Sequence, residues 1–358
     1  MANFRKIGIL SSGGDAPGMN AVIRAVARKA LDEGVEVVGI LGGYSGLIKN
    51  RTIPLTTRAV SNIISRGGTI LYSDRCPEFK TEEGMQKAIE TCRAHEIDAI
   101  VAIGGDGTFR GATDLTNHGV PTIGIPGTID NDITATDYTI GFDSAMNTTM
   151  NMIDCLRDTC ESHARCNVVE VMGRDCGQLA LNTALASGAV AAVIPEIPFD
   201  EKELLQRINV LHGTGKRSFI VIVSEGVKTP DGKKYGEILT EKIQAQTGIE
   251  SRFTRFGHVV RGGSPTMRDR YTATQMGVRA VQLLLEGKSN LVICKINGKI
   301  SELDINYALI ADRMYKGKLK DGDLDRFSAE DIAKMQALAE QRREEIRTAY
   351  EIVGVTSK

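Results

Sequence analysis

The chain has 358 residues, of which 42% are hydrophobic, and it carries a formal net charge of −1 at pH 7. This length allows two domains or one large one with a sizeable core. The near-zero charge provides no basic field for nucleic acid or anionic membranes, and no hydrophobic run approaches the length of a membrane span. The strand-like Ile7-Gly8-Ile9-Leu10 begins almost at the first residue, so we expect no signal peptide and a soluble, cytoplasmic protein.

The seven cysteines form no Cys-x-x-Cys pair and no ligand-spaced cluster with the five histidines. This pattern indicates reduced thiols, most of them small buried side chains. Cys76, between Arg75 and Pro77, is the one cysteine that we expect not to be simply a small buried side chain.

Short β-branched segments alternate with helix-like segments along the whole chain. Strands are expected at 6–10, 35–40, 99–103, 122–125, 167–171, 191–194, 219–223 and 290–296. Helices are expected at 19–31, 84–94, 144–158, 178–187, 201–211, 236–247 and 271–286. The alternation predicts an α/β fold with mainly parallel sheets. The tail from Ser328 to Tyr350 opens with Ser-x-x-Asp and predicts a capped, largely solvated helix without a chemical role.

The first strand ends in a glycine-rich turn, Ser11-Ser12-Gly13-Gly14-Asp15-Ala16-Pro17-Gly18, followed by a predicted helix. Backbone amides and the positive end of that helix can face an anion. A tight connection that needs glycine for a positive φ is the competing interpretation. The spacing is neither Gly-x-Gly-x-x-Gly nor a Walker sequence with its lysine, which disfavours a dinucleotide site and a P-loop.

Two further turns combine glycine with acid. In Gly104-Gly105-Asp106-Gly107-Thr108, Asp106 follows a buried strand, where its carboxylate can hold Mg²⁺ while the glycines let backbone approach phosphate oxygens. In Pro126-Gly127-Thr128-Ile129-Asp130-Asn131-Asp132, we expect an extended backbone that directs both Asp130 and Asp132 to one side. Paired acids beside a metal suit proton removal from an attacking hydroxyl. Plain Asx-rich turns are the alternative.

The basic residues of the chain indicate which kind of molecule would accept a phosphoryl group. Arg252, Arg255, His258 and Arg261 fall three apart before a double glycine, as a strand or loop or as a solvated helix face. A guanidinium group suits a sugar phosphate. Arg174, after the strand 167–171, can neutralise transferring charge or simply pair with a carboxylate.

Together these motifs, with Met172-Gly173-Arg174 and Gly257 to Pro265, resemble those of bacterial-type ATP-dependent 6-phosphofructokinases, in the same order from Lys6 to Arg313. The resemblance implies transfer of the ATP γ-phosphoryl group to the 1-hydroxyl of fructose 6-phosphate, the committed step of glycolysis. It implies two doubly wound α/β lobes: 1–141 with 260–310 for ATP, and 142–259 with 311–358 for the sugar phosphate.

By matching position, the resemblance also implies roles for individual residues. Asp130 would be the base, Asp106 the Mg²⁺ ligand, and Thr128 and Arg174 the stabilisers of the transition state. The pairing of the two acids in the turn, rather than the resemblance, lets Asp132 assist water or metal. The implied ATP contacts are Gly14, Arg75, Cys76, Gly105, Asp106, Gly107 and Thr108, with Arg75 also reaching the transferred phosphate. The implied sugar-phosphate contacts are Thr128, Ile129, Asp130, Met172, Gly173, Arg174, Glu225, His258 and Arg261. Arg165 and Arg252 would reach across from a neighbouring subunit of a homotetramer.

The resemblance further implies an effector pocket that binds ADP or phosphoenolpyruvate. Its basic residues match Arg24, Arg28, Arg157 and Lys216, but Val190 stands where the family has a metal-binding glutamate. We therefore expect weak or altered regulation.

The phosphoryl donor is inferred from Gly107 and Gly127, where pyrophosphate-using relatives commonly carry Asp and Lys. Glycine leaves room for the rest of a nucleotide, which favours ATP. A pyrophosphate-dependent enzyme and a non-catalytic sugar-phosphate sensor remain the alternatives.

Overall fold

The computed structural model describes residues 4–229 and 231–357. Its strands are β1 Lys6–Ser12, β2 Glu36–Ile40, β3 Thr52–Pro54, β4 Ala99–Gly104, β5 Thr122–Pro126, β6 Cys166–Val171, β7 Ala191–Val193, β8 Phe219–Ser224, β9 Ser251–Arg255, β10 Leu291–Ile296 and β11 Lys299–Asp304. Its α-helices are α1 Met19–Asp32, α2 Gly43–Ile48, α3 Glu82–Ala94, α4 Asp106–Asn117, α5 Phe142–His163, α6 Gln178–Ser187, α7 Glu201–Gly213, α8 Tyr235–Thr247, α9 Met267–Leu285, α10 Ile305–Tyr315 and α11 Ala329–Thr356. In the described residues, no helix is long and apolar enough to cross a membrane.

Two compact units divide the chain. The first comprises 1–129, 133–144 and 261–340, and the second comprises 130–132, 145–260 and 341–358. The boundaries differ from the predicted lobes, because 142–144 and 311–340 belong to the first unit, whereas 130–132 and residue 260 belong to the second. The ligand assigned to each lobe remains a prediction.

The first unit contains a sheet that, in the described residues, has the strand order β11-β10-β5-β4-β1-β2-β3. Its central strands are parallel, and antiparallel β3 and β11 form the two edges. Strand order reverses between β1 and β4, where Ser12 pairs with Gly104. This switch point is where an open α/β sheet places its ligand.

The second unit contains a parallel sheet with the order β7-β8-β6-β9. Val171 at the end of β6 pairs with Ser224 at the end of β8, so the turns that follow these strands are neighbours. The predicted α/β class with mainly parallel sheets is confirmed.

Each sheet is covered on its apolar faces by helices. Leu10, Ala102 and Phe109 belong to one buried cluster, and Val168 and Val221 to another in the second unit. Full burial of a side chain of this kind contributes roughly 1.5–3 kcal/mol. These buried β-branched runs are why the central strands were recognisable from sequence.

Several elements depart from the sequence predictions. β3, β11, α2, α4 and α10 were not expected as elements, and β9 lies in the stretch for which a strand was one of the alternatives. The tail helix begins as predicted, with Ser328 Oγ accepting from the Asp331 amide at 3.1 Å. It is less solvated than expected, because Met335 and Val353 are buried.

Candidate active site

The first and second glycine turns are joined at the switch point of the first sheet. Thr108 Oγ1, in the first turn of α4, donates to the carbonyl oxygen of Ser12 at 3.0 Å. A Cβ on Gly104 would lie 2.4 Å from that same carbonyl oxygen, so only glycine fits there. The two turns are therefore held at a fixed separation by one buried hydrogen bond and one close approach of backbone.

Arg261 covers the first turn. Its Nη1 donates to the Asp15 carbonyl oxygen at 3.0 Å, and a Cβ on Gly14 would lie only 2.9 Å from the same nitrogen. The structure therefore brings together a residue predicted to contact ATP and one predicted to contact the sugar phosphate. Glycine at 14 leaves the space that the guanidinium occupies.

The loop that carries Arg75 and Cys76 also reaches the first turn. The Gly13 amide donates to the Asp74 carbonyl oxygen at 3.4 Å, and Ser73 Oγ donates to the Gly13 carbonyl oxygen. Arg75 is exposed beside this contact. Burial raises the pKa of the Cys76 thiol, so this cysteine is not an activated nucleophile.

Asp106 is the first residue of α4, with Gly105 as the N-cap. Its carboxylate pairs with Arg110 one helical turn later. Apart from the adjoining residues and the backbone of the helix itself, no described atom lies within 4 Å of a Cβ built on Gly105 or Gly107, so this helix end opens onto space. Amides and a carboxylate at an open helix N-terminus suit phosphate together with Mg²⁺, which is commonly held by one or two carboxylates plus phosphate oxygens. Among the described residues, no three His, Cys, Asp or Glu side chains form a cluster that could hold a metal ion.

The third turn is joined to the second. The Gly127 amide donates to the Gly104 carbonyl oxygen at 3.0 Å, and the Thr128 carbonyl oxygen accepts from Thr139 Oγ1 at 2.7 Å. The side chain of Ile129 is fully buried, so any contact with a substrate would use its backbone.

The expectation that Asp130 and Asp132 share one side through an extended backbone is wrong in its premise. Asn131 between them adopts a left-handed conformation with φ of 49°, which breaks the alternation of side chains. Asp130 is almost fully buried, whereas Asp132 is half-buried. The two carboxylates therefore occupy different environments.

Arg174 lies beside Asp130, with its Nε 3.5 Å from Asp130 Oδ2. Glu225, directly after β8, accepts the amides of Gly173 and Arg174 through Oε1 at 3.2 and 3.1 Å. Both of these residues have positive φ, 140° and 52°. Glu225 thus holds a strained turn at the end of β6 and aims Arg174 at the predicted base.

Arg165 and Arg252 lie at the amino-terminal ends of β6 and β9, whereas Arg174 follows the carboxyl-terminal end of β6. Both contact Glu250, Arg165 through its Nε at 2.8 Å. The structure does not bring these two arginines to Arg174 within one chain, because the length of β6 lies between them.

The predicted basic run is divided. Arg252 and Arg255 belong to β9, and His258 is exposed in a 3₁₀ turn, Gly257–Arg261. Arg255 Nε contacts Glu170 at 2.7 Å, so it has a structural partner. Arg261 belongs to the first unit and the other three to the second.

Residues of the predicted effector pocket are distributed over both units. Arg24 and Arg28 are half-buried on α1, where burial and then the charge of Arg28 lower the pKa of Arg24. In the second unit, Arg157 donates to the Ser187 carbonyl oxygen, and Lys216 is half-buried. Their shared role remains a prediction.

Glu170 and Asp269 are among the buried acids that sequence reasoning missed. Glu170 holds Arg255 and Lys234 at 2.7 and 3.0 Å. Asp269 has a sequence signal in Thr266-x-x-Asp269, a helix-start pattern, and Thr266 Oγ1 does accept the Asp269 amide. Nothing in that signal indicates where the carboxylate points.

Several known proteins are similar to this chain in sequence, and solved structures are similar to it in fold. An ATP-dependent 6-phosphofructokinase of Lactobacillus johnsonii is 52% identical over 302 residues, 84% of this chain and 93% of that protein. ATP-dependent 6-phosphofructokinase 1 of Clostridium perfringens is 49% identical over 316 residues, 88% of this chain and 97% of that protein. The solved phosphofructokinase of Pichia pastoris in the T-state has a TM-score of 0.85 at 32% identity, covering 99% of this chain and 40% of the Pichia chain.

A sequence model described as Phosphofructokinase matches residues 6–284, which is more than three quarters of the chain. This match and the near-complete coverage of the bacterial relatives agree with the glycine-acid turns described above. The chain belongs to the phosphofructokinase family.

Proposed function

We propose that this chain transfers the γ-phosphoryl group of ATP to the 1-hydroxyl of D-fructose 6-phosphate, giving fructose 1,6-bisphosphate and ADP. The observation that carries this proposal is the 49% identity over 97% of a relative named ATP-dependent 6-phosphofructokinase. The activity is that of a phosphotransferase acting at the committed step of glycolysis.

ATP binds at the joined turns of the first unit. The open N-terminus of α4 offers amides and the Asp106 carboxylate, and Gly14, Arg75 and Cys76 belong to the adjoining turn and loop. Asp106 would hold Mg²⁺, which supplies neutralisation of phosphate charge when bound. Gly105, Gly107 and Thr108 complete this contact surface.

Asp130 acts as the base. As the sugar oxygen forms its bond to phosphorus and the bond to ADP breaks, Asp130 takes the hydroxyl proton. Burial of Asp130 removes competing water, and the nearby Arg174 stabilises charge on the transferring group. Thr128 and Arg75 assist that charge stabilisation, and Asp132 supports water or metal beside the reaction.

Fructose 6-phosphate meets Met172, Gly173 and Glu225, with His258 and Arg261 binding its phosphate. Arg165 and Arg252 act on the site of a neighbouring copy, because in their own chain they lie at the other end of the strands from Arg174. The active form is therefore proposed as an oligomer, and the family resemblance favours a homotetramer. Weak or altered effector control through Arg24, Arg28, Arg157 and Lys216 and a cytoplasmic location remain predictions.

ATP rather than pyrophosphate is the proposed donor. Gly107 adjoins open space, whereas a Cβ on Gly127 would lie 3.1 Å from both Ile103 Cγ2 and Met19 Cε. A side chain at 127 would therefore require Ile103 and Met19 to move by a few tenths of an ångström.

The test measures fructose 1,6-bisphosphate formation from fructose 6-phosphate and Mg²⁺, with ATP in one reaction and pyrophosphate in another. Turnover with ATP alone is expected. Turnover only with pyrophosphate would overturn the donor assignment, and turnover with neither would favour a sensor.

A further inference from the structure

Asp269, at the start of α9, is fully buried and accepts four hydrogen bonds from one segment of the first unit. The Tyr138 hydroxyl and the Gly141 amide donate to Oδ1, the latter at 2.8 Å. The Ser144 amide and hydroxyl donate to Oδ2, the amide at 2.9 Å. Burial, followed by the Asp269 charge, raises the pKa of Tyr138, so its hydroxyl keeps the proton that it donates. One carboxylate therefore ties down both ends of 138–144.

The same segment also holds the third glycine turn. Thr139 Oγ1 donates to the Thr128 carbonyl oxygen at 2.7 Å. The Ile140 amide donates to the Pro126 carbonyl oxygen at 2.9 Å, and Ile140 forms a parallel bridge with Gly127. The residues that hold the turn thus lie between the residues that Asp269 holds.

The segment has little room to shift. A Cβ on Gly18 would lie 2.6 Å from Ile140 Cγ2, and one on Gly141 would lie 2.5 Å from Ala16 Cβ. Both glycines have positive φ, 109° and 105°, which glycine alone adopts readily. The first glycine turn therefore packs directly against the same segment.

We propose that Asp269 is a positioning residue for phosphoryl transfer, holding 138–144 so that this segment fixes Thr128 and the turn that leads to Asp130. The inference rests on the proposed function for its catalytic consequence. It assigns Asp269 no contact with substrate. A shift of a catalytic group by about 1 Å can lower a rate by roughly 10²-fold, which is why such a distant clamp matters.

Tyr138→Phe is the cleanest test, because it removes one donor to Asp269 and leaves the buried ring in place. Tyr307→Phe is the matched control, since Tyr307 belongs to a different cluster that packs on Phe327. We expect Tyr138→Phe to lower kcat about 10-fold with the KM for either substrate changed by less than about threefold. The control should retain the wild-type kcat.

A double-mutant cycle with Thr139→Val separates positioning from a general loss of stability. If Asp269 acts through Thr139, Tyr138→Phe costs clearly less in kcat once Thr139 Oγ1 is gone. Additive losses in kcat would overturn the proposal. Asp269→Asn provides a second route, because its amide would face the Ser144 amide donor and should reproduce the loss in kcat.

Amide hydrogen exchange without substrates tests the same clamp independently of activity. Peptides covering 122–130 should exchange about 10-fold faster in Tyr138→Phe than in wild type or Tyr307→Phe. Unchanged exchange together with unchanged kcat refutes the inference. No turnover by the wild-type chain would instead refute the proposed function and the catalytic consequence, while the exchange comparison would still decide whether Asp269 holds the turn.

Discussion

Replacing Gly107 by Asp changes the donor site without disturbing the fold. Gly107 is exposed in the first turn of α4, and a Cβ built there would meet no described atom within 4 Å beyond the adjoining residues and the helix backbone. A helical glycine is about 0.5–1 kcal/mol less stable than alanine, and aspartate recovers only part of that difference. An acid near a helix N-terminus contributes about 0.3–1 kcal/mol more. We therefore expect the free energy of unfolding to rise by about 1 kcal/mol.

The same carboxylate should impair ATP binding and turnover. At about 5 Å from a phosphate oxygen and an effective dielectric constant near 20, the repulsion is about 3 kcal/mol. This repulsion corresponds to a loss of roughly 10²-fold in kcat/KM for ATP. The assay is steady-state formation of fructose 1,6-bisphosphate with ATP varied at saturating fructose 6-phosphate, beside urea unfolding.

Two controls separate the causes. Gly107→Asn matches the size without the charge and should lose less than the Asp variant if repulsion dominates. Gly213→Asp adds the same charge at an exposed glycine that is equally open, at the end of α7. It should leave ATP kinetics unchanged. An unchanged ATP KM and kcat in Gly107→Asp would refute the reasoning on donor choice.

Three further results are expected. Asp130→Asn should lower kcat by about 10²- to 10⁴-fold with folding intact, as judged by circular dichroism, and near wild-type turnover would exclude Asp130 as the base. Iodoacetamide should label exposed Cys155 first, because burial raises the pKa of Cys92 and Cys166 to about 12. If mass spectrometry finds Cys92 or Cys166 labelled before Cys155, the result contradicts the structure. Burial also raises the pKa of Glu196, so its stabilising contribution is greatest below its ordinary pKa and is lost as pH rises through the raised value. Relative to Glu196→Gln, wild-type stability in urea should therefore fall with rising pH, and parallel curves would exclude this linkage.

The strand-end turns could be predicted because the signal is local. Buried β-branched runs and the glycines at 104 and 107 occupy a few consecutive residues, and the ends of parallel strands meet at one edge by geometry alone. Helix α4 was missed because its glycines and Asp106 favour a loop on propensity, whereas packing of Phe109 in the core stabilises a helix.

Which side chains lie together was harder to predict from the sequence. Asp130 and Asp132 were expected to share one side, but the left-handed Asn131 separates them. Arg252, Arg255, His258 and Arg261 are regularly spaced in the sequence, but a strand, a 3₁₀ turn and two compact units divide them. Local spacing carries no information about a change of backbone conformation between its members.

The sequence by itself determined the α/β class, the order of the strand-end turns and the kinds of groups they carry, because hydrophobic periodicity and glycine-acid chemistry act over short stretches. The tertiary structure alone decided that Arg261 covers Gly14, that Glu225 holds the Arg174 turn, and that Asp269 clamps 138–144. Those contacts join residues 50 or more positions apart in the chain, with 246 positions between Asp15 and Arg261. Their partners are chosen by the close packing of elements, which no single segment of the sequence encodes.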